Sequence, residues 1–343
     1  MKEKKILFLI GSPNQTQQMH QISNYLRGEY DCWFSQVFPD LLLTKWVVDS
    51  GMVESMVVSG SFKAKADQYL RDHSLQNDYM AKKNKYDLIV FCSDIMMPKK
   101  LLGTKTVWVQ EGMTDVLTGV GKVVKALKLP GYFAMNTALN GTSDICDIYC
   151  AASDGYKERF STMGTDRRKI VVTGIPNFDN VAQYMENDFE HRDHVLVATS
   201  DIRECFRRDD RINFLRKCKS IAEGRKLIFK LHPNEKKGRA ITEIKQVIGE
   251  DTLVYTDGNP NHMIANCEEL ITQYSTLAYV GIALGKKVYS YYDVNELNRL
   301  VPVQNGGTSA RNIADVCRGY IEYEGSGTDY LGHREMMPLR IVA

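Results

Sequence analysis

The sequence has no apolar run that approaches the ~20 residues a membrane-spanning helix needs. It also lacks internal repeats, low-complexity segments and an excess of charge of one sign, since 44 basic residues stand against 42 acidic ones. A balanced charge argues against a general nucleic-acid binder, which would normally carry a one-sided basic surface. These absences leave an ordinary globular protein, and its ligands have to be sought in particular motifs.

Cysteine is present without a metal-binding pattern. The eight cysteines are scattered, and Cys146 and Cys150 lie close together without a second pair at matching spacing. The sequence therefore predicts reduced thiols and no metal site. The N-terminal apolar run at 4–11 enters a Gly-Ser-Pro turn with no small-residue cleavage site, so it predicts a strand rather than a signal peptide. Together these features predict a cytoplasmic protein.

Apolar, β-rich runs alternate with amphipathic segments along most of the 343 residues. The runs are continuously apolar, which is typical of strands covered on both faces in a parallel sheet. The predicted strands are 4–11, 30–38, 86–93, 105–110, 147–153, 169–174, 194–200, 225–232, 251–255, 268–274 and 286–292. A polar segment at 177–193 interrupts the alternation. We therefore predict an α/β protein with Rossmann-like domains at 1–180 and 193–325.

Ligands of open α/β sheets bind where the strands end, so the residues that follow each strand are the candidates. Gly11 and Ser12 follow the first strand and open a helix, which favours an anion site or a plain turn about equally. Glu111 and Asp115 lie on the loop "VQEGMTD" after 105–110. A carboxylate there can act as a general base toward a hydroxyl, and helix capping is the alternative.

The sixth strand ends in "TGIPNFDN", where Gly174 permits a close backbone approach and Pro176 fixes a turn. Asp179 closes this segment. A cleft loop at the domain junction and an ordinary connection both fit the spacing.

Three elements of the second domain carry candidate phosphate ligands. Thr199, Ser200 and Arg203 follow the strand at 194–200, and hydroxyls with a guanidinium suit phosphate recognition. A surface cap with a solvated Arg is the alternative.

The stretch "LIFKLHPNE" places Lys230 and His232 two residues apart at a strand end that Pro233 terminates. Side chains repeat every two residues along a strand, so both cations are expected on one side, facing an anion. Gln273, Ser275 and Thr276 follow the strand at 268–274 and begin a helix. They predict either helix caps or a phosphate held at the helix start.

Taken together, these motifs resemble a GT-B fold nucleotide-sugar enzyme, with two Rossmann-like domains facing a cleft. "TGIPNFDN", "FKLHPNE" and "ELITQYSTLAYVGIALGKKVYSYYDVNEL" are similar, in order and spacing, to motifs of the CDP-glycerol glycerophosphotransferase family of teichoic-acid polymerases. The resemblance implies an N-terminal acceptor domain and a C-terminal domain that binds a nucleotide-activated donor of UDP or CDP type. It implies that His232, Ser275 and Thr276 contact donor phosphate, and that neither a cofactor nor a metal is needed.

The sequence departs from that family at three positions. Glu111 stands where the family has the His of a Trp-His-Gly-Thr loop, Gln273 replaces an Asp, and Lys287 replaces a Pro. The non-hydrolysing UDP-GlcNAc 2-epimerases share the architecture, and their His-Arg-x-Glu-Asn loop falls at "TSDIREC". This chain keeps Arg203 and Glu204 there but lacks the His and the Asn. A glycosyltransferase of bacterial surface polysaccharide synthesis is therefore expected before an epimerase.

The segment "GKVVKALKLPGYF" at 121–133 is both basic and apolar. Such a segment can touch a lipid-linked acceptor at the inner face of the membrane. An ordinary packed helix with solvated lysines is the alternative. The expected partners are thus a nucleotide-sugar donor and a glycan or lipid-linked acceptor.

Overall fold

The computed structural model describes residues 3–38, 60–101, 103–127, 129–134, 136–204 and 208–336. Its contacts divide the chain into two compact units. Unit 1 comprises Met1–Asp179 together with Asn305–Ala343, and unit 2 comprises Asn180–Gln304. Across the ranges that the model describes, every helix is too short or too polar to cross a membrane.

Unit 1 is a six-stranded parallel sheet with helices between its strands. Its elements in chain order are β1 Lys5–Ile10, α1 Pro13–Asn24, β2 Asp31–Gln36, α2 Gly60–Asp72, β3 Leu88–Phe91, β4 Lys105–Val109, α3 Gly119–Ala126, β5 Ile148–Ala151, α4 Asp154–Thr162 and β6 Ile170–Val172. The strands stand in the order β2-β1-β3-β4-β5-β6. Every residue of β3 and β5 is buried, as continuously apolar strands of a sheet covered on both faces should be.

The end of the chain returns to unit 1. Helix α10, Ser309–Glu322, lays Ile313, Val316 and Cys317 into the same apolar core as β1 and β3, and α11, Gly327–Met336, follows it. The sequence assigned residues up to 325 to the second domain, and the structure differs here. Because α10 carries a strongly apolar face, it packs where an uncovered sheet face is available, and this pairing is invisible to local sequence patterns.

Unit 2 is a five-stranded parallel sheet. Its elements are β7 His194–Ala198, α5 Arg211–Ala222, β8 Leu227–Lys230, α6 Lys237–Ile248, β9 Leu253–Tyr255, α7 Pro260–Asn266, β10 Cys267–Thr272, α8 Leu277–Ala283, β11 Lys287–Tyr289 and α9 Val294–Leu300. The strand order is β11-β10-β7-β8-β9. The predicted α/β architecture of two Rossmann-like units is confirmed.

Each sheet reverses its direction of winding once. In unit 1 the chain adds β2 on one side of β1 and β3 on the other, and in unit 2 it adds β8 and β10 on opposite sides of β7. The helices that leave the two central strands diverge at such a point, which opens a crevice beyond the carboxyl ends of the strands. In unit 2 the loops at this crevice are those after β7 and β10.

Candidate functional site

A partly buried carboxylate lies at the carboxyl edge of the unit 1 sheet. Glu111 follows β4, and its two oxygens accept hydrogen bonds from Ser12 Oγ at 3.0 Å and from Gln15 Nε2 at 2.7 Å. Burial raises the pKa of Glu111 above its ordinary value, and the two hydrogen bonds oppose that rise without cancelling it. A carboxyl group with a raised pKa at this edge is suited to accept and release a proton.

The start of α1 creates this arrangement. Ser12 is the N-cap of the helix, its Oγ accepts from the backbone N–H of Gln15 at 3.2 Å, and Pro13 occupies a first helical position. The cap fixes Ser12 and Gln15 beside Glu111. On the other side, Asn177 Nδ2 donates to the backbone oxygen of Glu111 at 3.2 Å. The predicted Gly11–Ser12 turn therefore holds a side-chain carboxylate rather than standing open for an external anion.

The second predicted carboxylate has a different role. The Oδ2 of Asp115 accepts from the backbone N–H of Thr137 at 2.9 Å and from its Oγ1 at 2.8 Å. The N–H of Asp115 donates back to Thr137 Oγ1 at 3.0 Å. This reciprocal set of bonds braces one loop against another, and Thr118, not Asp115, caps the helix that follows. The structure therefore separates Glu111 from Asp115, and Glu111 remains the candidate base.

The loop after β6, predicted as a cleft loop, is held by contacts within unit 1. Gly174 has a φ of 72°, in the left-handed region that favours glycine. Asp179 is buried, and its carboxylate accepts from the backbone N–H groups of Asn305 at 2.8 Å and Ser309 at 2.6 Å. Asp179 thus anchors the returning chain at the start of α10. Sequence patterns do not reveal this pairing, because its partners lie more than a hundred residues away.

In unit 2 a buried glutamate organises the His-Pro turn. Glu235 accepts from Arg211, from Thr199 Oγ1 and, at 3.0 Å, from the backbone N–H of His232. Its side chain and that of Arg211 are 2% and 3% exposed. Sequence reasoning missed both residues. The sequence clue to the role of Glu235 was its i,i+3 spacing from His232 across Pro233, which is the spacing of a turn.

The hydroxyl of Thr199 is consumed by this network, since it donates to Glu235 and accepts from the N–H of His232 at 3.2 Å. Lys230 is likewise engaged. Its Nζ donates to the backbone oxygens of Leu231 at 3.0 Å and Thr256 at 3.4 Å, and burial lowers its pKa. The strand β8 ends at Lys230, and the ammonium of Lys230 is bound by these backbone oxygens. A shared anion between Lys230 and His232 stays a prediction.

His232 keeps one ring nitrogen available. Its Nδ1 accepts from the backbone N–H of Asn234 at 3.3 Å, and the Asn234 side chain donates to Asp201 at 2.8 Å. The same Nδ1 also lies 3.5 Å from Asp201 Oδ2. When Nδ1 accepts from Asn234, the ring proton is on Nε2, and when Nδ1 donates to Asp201, Nε2 is an acceptor. Within the described part of the chain, no group hydrogen-bonds Nε2, and the side chain is 38% exposed. The Nε2 of His232 is therefore open to a ligand.

Arg203 is paired inside unit 2. Its guanidinium forms a two-pronged ion pair with Glu243 of α6, at 2.8 and 2.7 Å, and its Nε lies 3.8 Å from Asp209. Glu243 raises the pKa of Arg203 further through these bonds. A bidentate pair of this kind uses two of the five N–H donors of the guanidinium and fixes Arg203 against α6. The phosphate contact of Arg203 stays a prediction.

The loops after β7 and β10 meet at the reversal point of the unit 2 sheet. Ser200 Oγ donates to the backbone oxygen of Tyr274 at 3.3 Å. Gln273 is fully buried, its Nε2 donates to Asp209 at 2.9 Å, and its Oε1 has no partner among the described residues. Gln273 and Ser200 are thus neighbours, as the sequence predicted for residues that follow adjacent strands.

The start of α8 has fewer side-chain cap bonds than the sequence predicted. Ser275 Oγ accepts from the backbone N–H of Leu277 at 3.2 Å, and Thr276 occupies the N-cap without a side-chain cap bond. The helix has seven residues, so its dipole is modest. The exposed hydroxyl of Thr276 and the partly buried one of Ser275 are the groups it offers to a ligand.

Sequence reasoning also missed an aromatic cluster at this edge. Tyr274 packs edge-on against Tyr291 and Tyr292, with ring centroids 5.4 and 5.2 Å apart. Tyr274 and Tyr291 are 44% and 46% exposed, although the end of β10 that precedes Tyr274 is buried. The repeated tyrosines in "QYST" and "SYYD" were the available signal. Exposed aromatic faces beside polar groups suit a planar ring such as a nucleobase.

The described residues contain no group of three or more His, Cys, Asp or Glu side chains arranged to hold a metal ion.

Comparisons with known proteins find likeness in structure alone. No protein-family model matches the chain, and no curated protein matches it. A UDP-GlcNAc 2-epimerase from Neisseria meningitidis, bound to UDP-GlcNAc, has a TM-score of 0.54 at 10% identity, over 92% of this chain and 99% of that one. The UDP-GlcNAc 2-epimerase from Methanocaldococcus jannaschii has a TM-score of 0.54 at 12% identity, over 92% of this chain and 100% of that one.

The wall teichoic acid polymerase TagF also matches, with a TM-score of 0.43 at 12% identity, over 96% of this chain and 82% of that one. The comparisons therefore include both families that the sequence motifs resemble. At these identities the likeness shows the fold, of GT-B type, and a TM-score below 0.5 adds nothing to it.

Proposed function

We propose that this protein is a transferase that uses a nucleotide-activated donor, of UDP or CDP type, to build a bacterial surface polysaccharide. The observation that carries the proposal is Glu111, a partly buried carboxylate with a raised pKa that Ser12 and Gln15 hold at the carboxyl edge of the unit 1 sheet. A base of this kind is what a transferase needs to activate an acceptor hydroxyl.

The donor is assigned to unit 2. The Nε2–H of His232 and the hydroxyls of Ser275 and Thr276 are donors that the unit's own network leaves available for phosphate oxygens. The Tyr274–Tyr291 cluster offers a stacking surface to the nucleobase of the donor. Lys230, Arg203 and Thr199 support these groups indirectly, by holding the loops that carry them.

The step itself follows from these roles. Glu111 accepts the proton of the acceptor hydroxyl, whose oxygen forms the new bond to the transferred group. The bond from that group to the leaving phosphate breaks, and its electron pair stays on the departing nucleotide. Donors fixed in advance around that phosphate stabilise the charge that develops. We propose that no cofactor takes part and that turnover continues in EDTA.

A UDP-GlcNAc 2-epimerase is the second candidate, because the epimerase folds match this chain with TM-scores above 0.5. Against it, Arg203 is paired with Glu243, and the His and Asn of the epimerase loop are missing from "TSDIREC". Conversion of UDP-GlcNAc to its epimer, or release of UDP and free sugar, without an added acceptor would favour this candidate over the transferase.

Nucleotide binding tests the donor assignment. We expect UDP or CDP to raise the thermal unfolding temperature of the wild type, and Tyr274→Ala to weaken binding by about 1–3 kcal/mol through lost stacking. Tyr274→Phe keeps the ring and should bind like the wild type. Tyr25→Ala, at a similarly exposed tyrosine of unit 1, is the matched control. No stabilisation of the folded wild type by any nucleotide would overturn the proposal.

The pH dependence of turnover tests the base. Glu111 must be ionised to accept a proton, and its pKa lies above the ordinary value of 4.5. We therefore expect kcat/KM to fall as pH drops through this raised pKa, with the acid limb at higher pH than an ordinary glutamate gives. An acid limb at or below pH 4.5 would argue against Glu111.

A further inference from the structure

An apolar stripe lies on the outer surface of unit 1. It consists of Val116, Val120, Val123 and Leu127, each between 56% and 65% exposed. Val120 and Val123 lie on α3 and Leu127 is its C-cap, so their spacing of three and four residues follows one face of the helix. Val116 precedes the N-cap Thr118. Leu129 and Phe133, beyond the end of α3, are also about half exposed. Isolated exposed apolar residues are common, whereas an ordered row of them marks an interaction surface.

The inner face of α3 already has its partners. Val124 is buried against Ala134 and Leu139, with Leu117 and Met163 beside them. Thr118 caps the helix by accepting from the N–H of Gly121 at 3.2 Å. The helix is thus fixed by its inner side, and the stripe makes no contribution to the apolar clusters of the described residues. The stripe is therefore available to bind a partner outside the unit.

The charge around the stripe indicates its occupant. Residues 116–136 contain three lysines and no acidic residue, although the whole chain carries a net charge of only +2. Lys122 and Lys125 are exposed on the same short helix as the stripe. Their long apolar stems can lie along a lipid surface while the ammonium groups reach anionic headgroups. A second copy of the chain fits less well, since a two-fold contact would bring these lysines against their equivalents.

We propose that the apolar stripe and its lysines bind the surface of an anionic membrane, with α3 parallel to the lipid plane. This assignment does not depend on the proposed function, because it is measured without turnover. It goes beyond that function by giving the protein a place of action, at a lipid surface.

Vesicle co-sedimentation of the full chain tests the inference. We expect binding to phosphatidylcholine vesicles that contain phosphatidylglycerol, little binding to phosphatidylcholine alone, and loss of binding as salt is raised. Lys122→Glu and Lys125→Glu should each lower the affinity at least about fivefold. The double variant Val123→Glu/Leu127→Glu should abolish measurable binding.

Two matched controls separate a specific effect from added charge. Ile145→Glu changes a similarly exposed apolar residue of unit 1 outside the stripe, and Lys217→Glu reverses an exposed lysine of unit 2. Both should bind like the wild type, and circular dichroism should show all variants folded.

Absence of wild-type binding at low salt would overturn the inference, as would equal loss in the controls. Light scattering without vesicles tests whether the stripe is instead a contact between two copies of the chain. If the wild type is a dimer that Val123→Glu/Leu127→Glu converts to a monomer, the stripe is a contact between copies and not a membrane surface.

Discussion

Glu111→Gln is expected to lower kcat for transfer by about 10²- to 10⁴-fold, the range that loss of a positioned general base produces. The amide has nearly the shape of the carboxylate and can still accept from Ser12, but it cannot take a proton from the acceptor. Nucleotide affinity, which we assign to unit 2, should stay within experimental error of the wild type. Steady-state kinetics with the donor that the nucleotide screen identifies, combined with nucleotide titration, measures both.

Stability provides the control for this variant. Folding raises the pKa of Glu111, so the native state binds its proton more tightly than the unfolded chain does. Stability from this group is therefore largest at low pH and falls as pH rises through the raised pKa. A glutamine at this position does not ionise, so Glu111→Gln does not lose stability as pH rises through that pKa. At neutral pH the variant should therefore unfold at no lower temperature than the wild type. A drop in activity with unchanged stability then shows that the variant has lost the proton acceptor and has not unfolded.

Asp115→Asn is the informative competitor, because the sequence offered both carboxylates and the structure binds Asp115 to Thr137. Should Asp115→Asn abolish turnover while Glu111→Gln keeps it, the roles drawn from the geometry would be reversed. Full activity of both variants would remove unit 1 carboxylates from the mechanism altogether.

Glu235→Ala is expected to destabilise the protein by about 3–5 kcal/mol, the cost of leaving a buried charge without its partner. Arg211 and Glu235 are both almost wholly buried, and the carboxylate also holds the N–H of His232 and the hydroxyl of Thr199. Its removal takes an acceptor away from three donors at once. We expect nucleotide binding to weaken as well, because the turn that carries His232 loses its anchor.

Urea unfolding followed by two probes locates this effect. Trp33 and Trp108 lie in β2 and β4, and the part of the chain assigned to unit 2 contains no tryptophan, so tryptophan fluorescence follows unit 1. Circular dichroism reports the helices of both units. Glu235→Ala should move the dichroism transition to lower urea more than the fluorescence transition.

Glu268→Ala is the matched control, because Glu268 belongs to the same unit and its pair with Arg225 is exposed, which predicts a cost below about 1 kcal/mol. The double variant Glu235→Ala/Arg211→Ala should recover part of the loss, since it removes the stranded charge. A cost for Glu235→Ala no larger than that for Glu268→Ala would contradict the role assigned to it.

Local pattern was sufficient to predict the strands. Every one of the eleven predicted runs overlaps a strand of the structure, because a strand covered on both faces must be apolar over its own short length. The strand ends in turn predicted where polar candidates would gather, and Ser12 and Glu111 do meet there, as do Ser200 and the loop after β10. The strands and the polar residues at their ends could be predicted because both follow from short segments and from the general geometry of parallel sheets.

The tertiary structure decided which candidates remain available to a ligand. Glu243, 40 residues further on, is brought to Arg203 by α6 and takes up part of the guanidinium that the sequence predicted for phosphate. Asp179 of the predicted cleft loop binds Asn305, 126 residues away. The partners that folding gives to a polar side chain depend on chain topology over distances that no local pattern records. For the same reason the sequence predicted two cations at the His-Pro turn, and only the tertiary structure binds the ammonium of Lys230 to backbone oxygens.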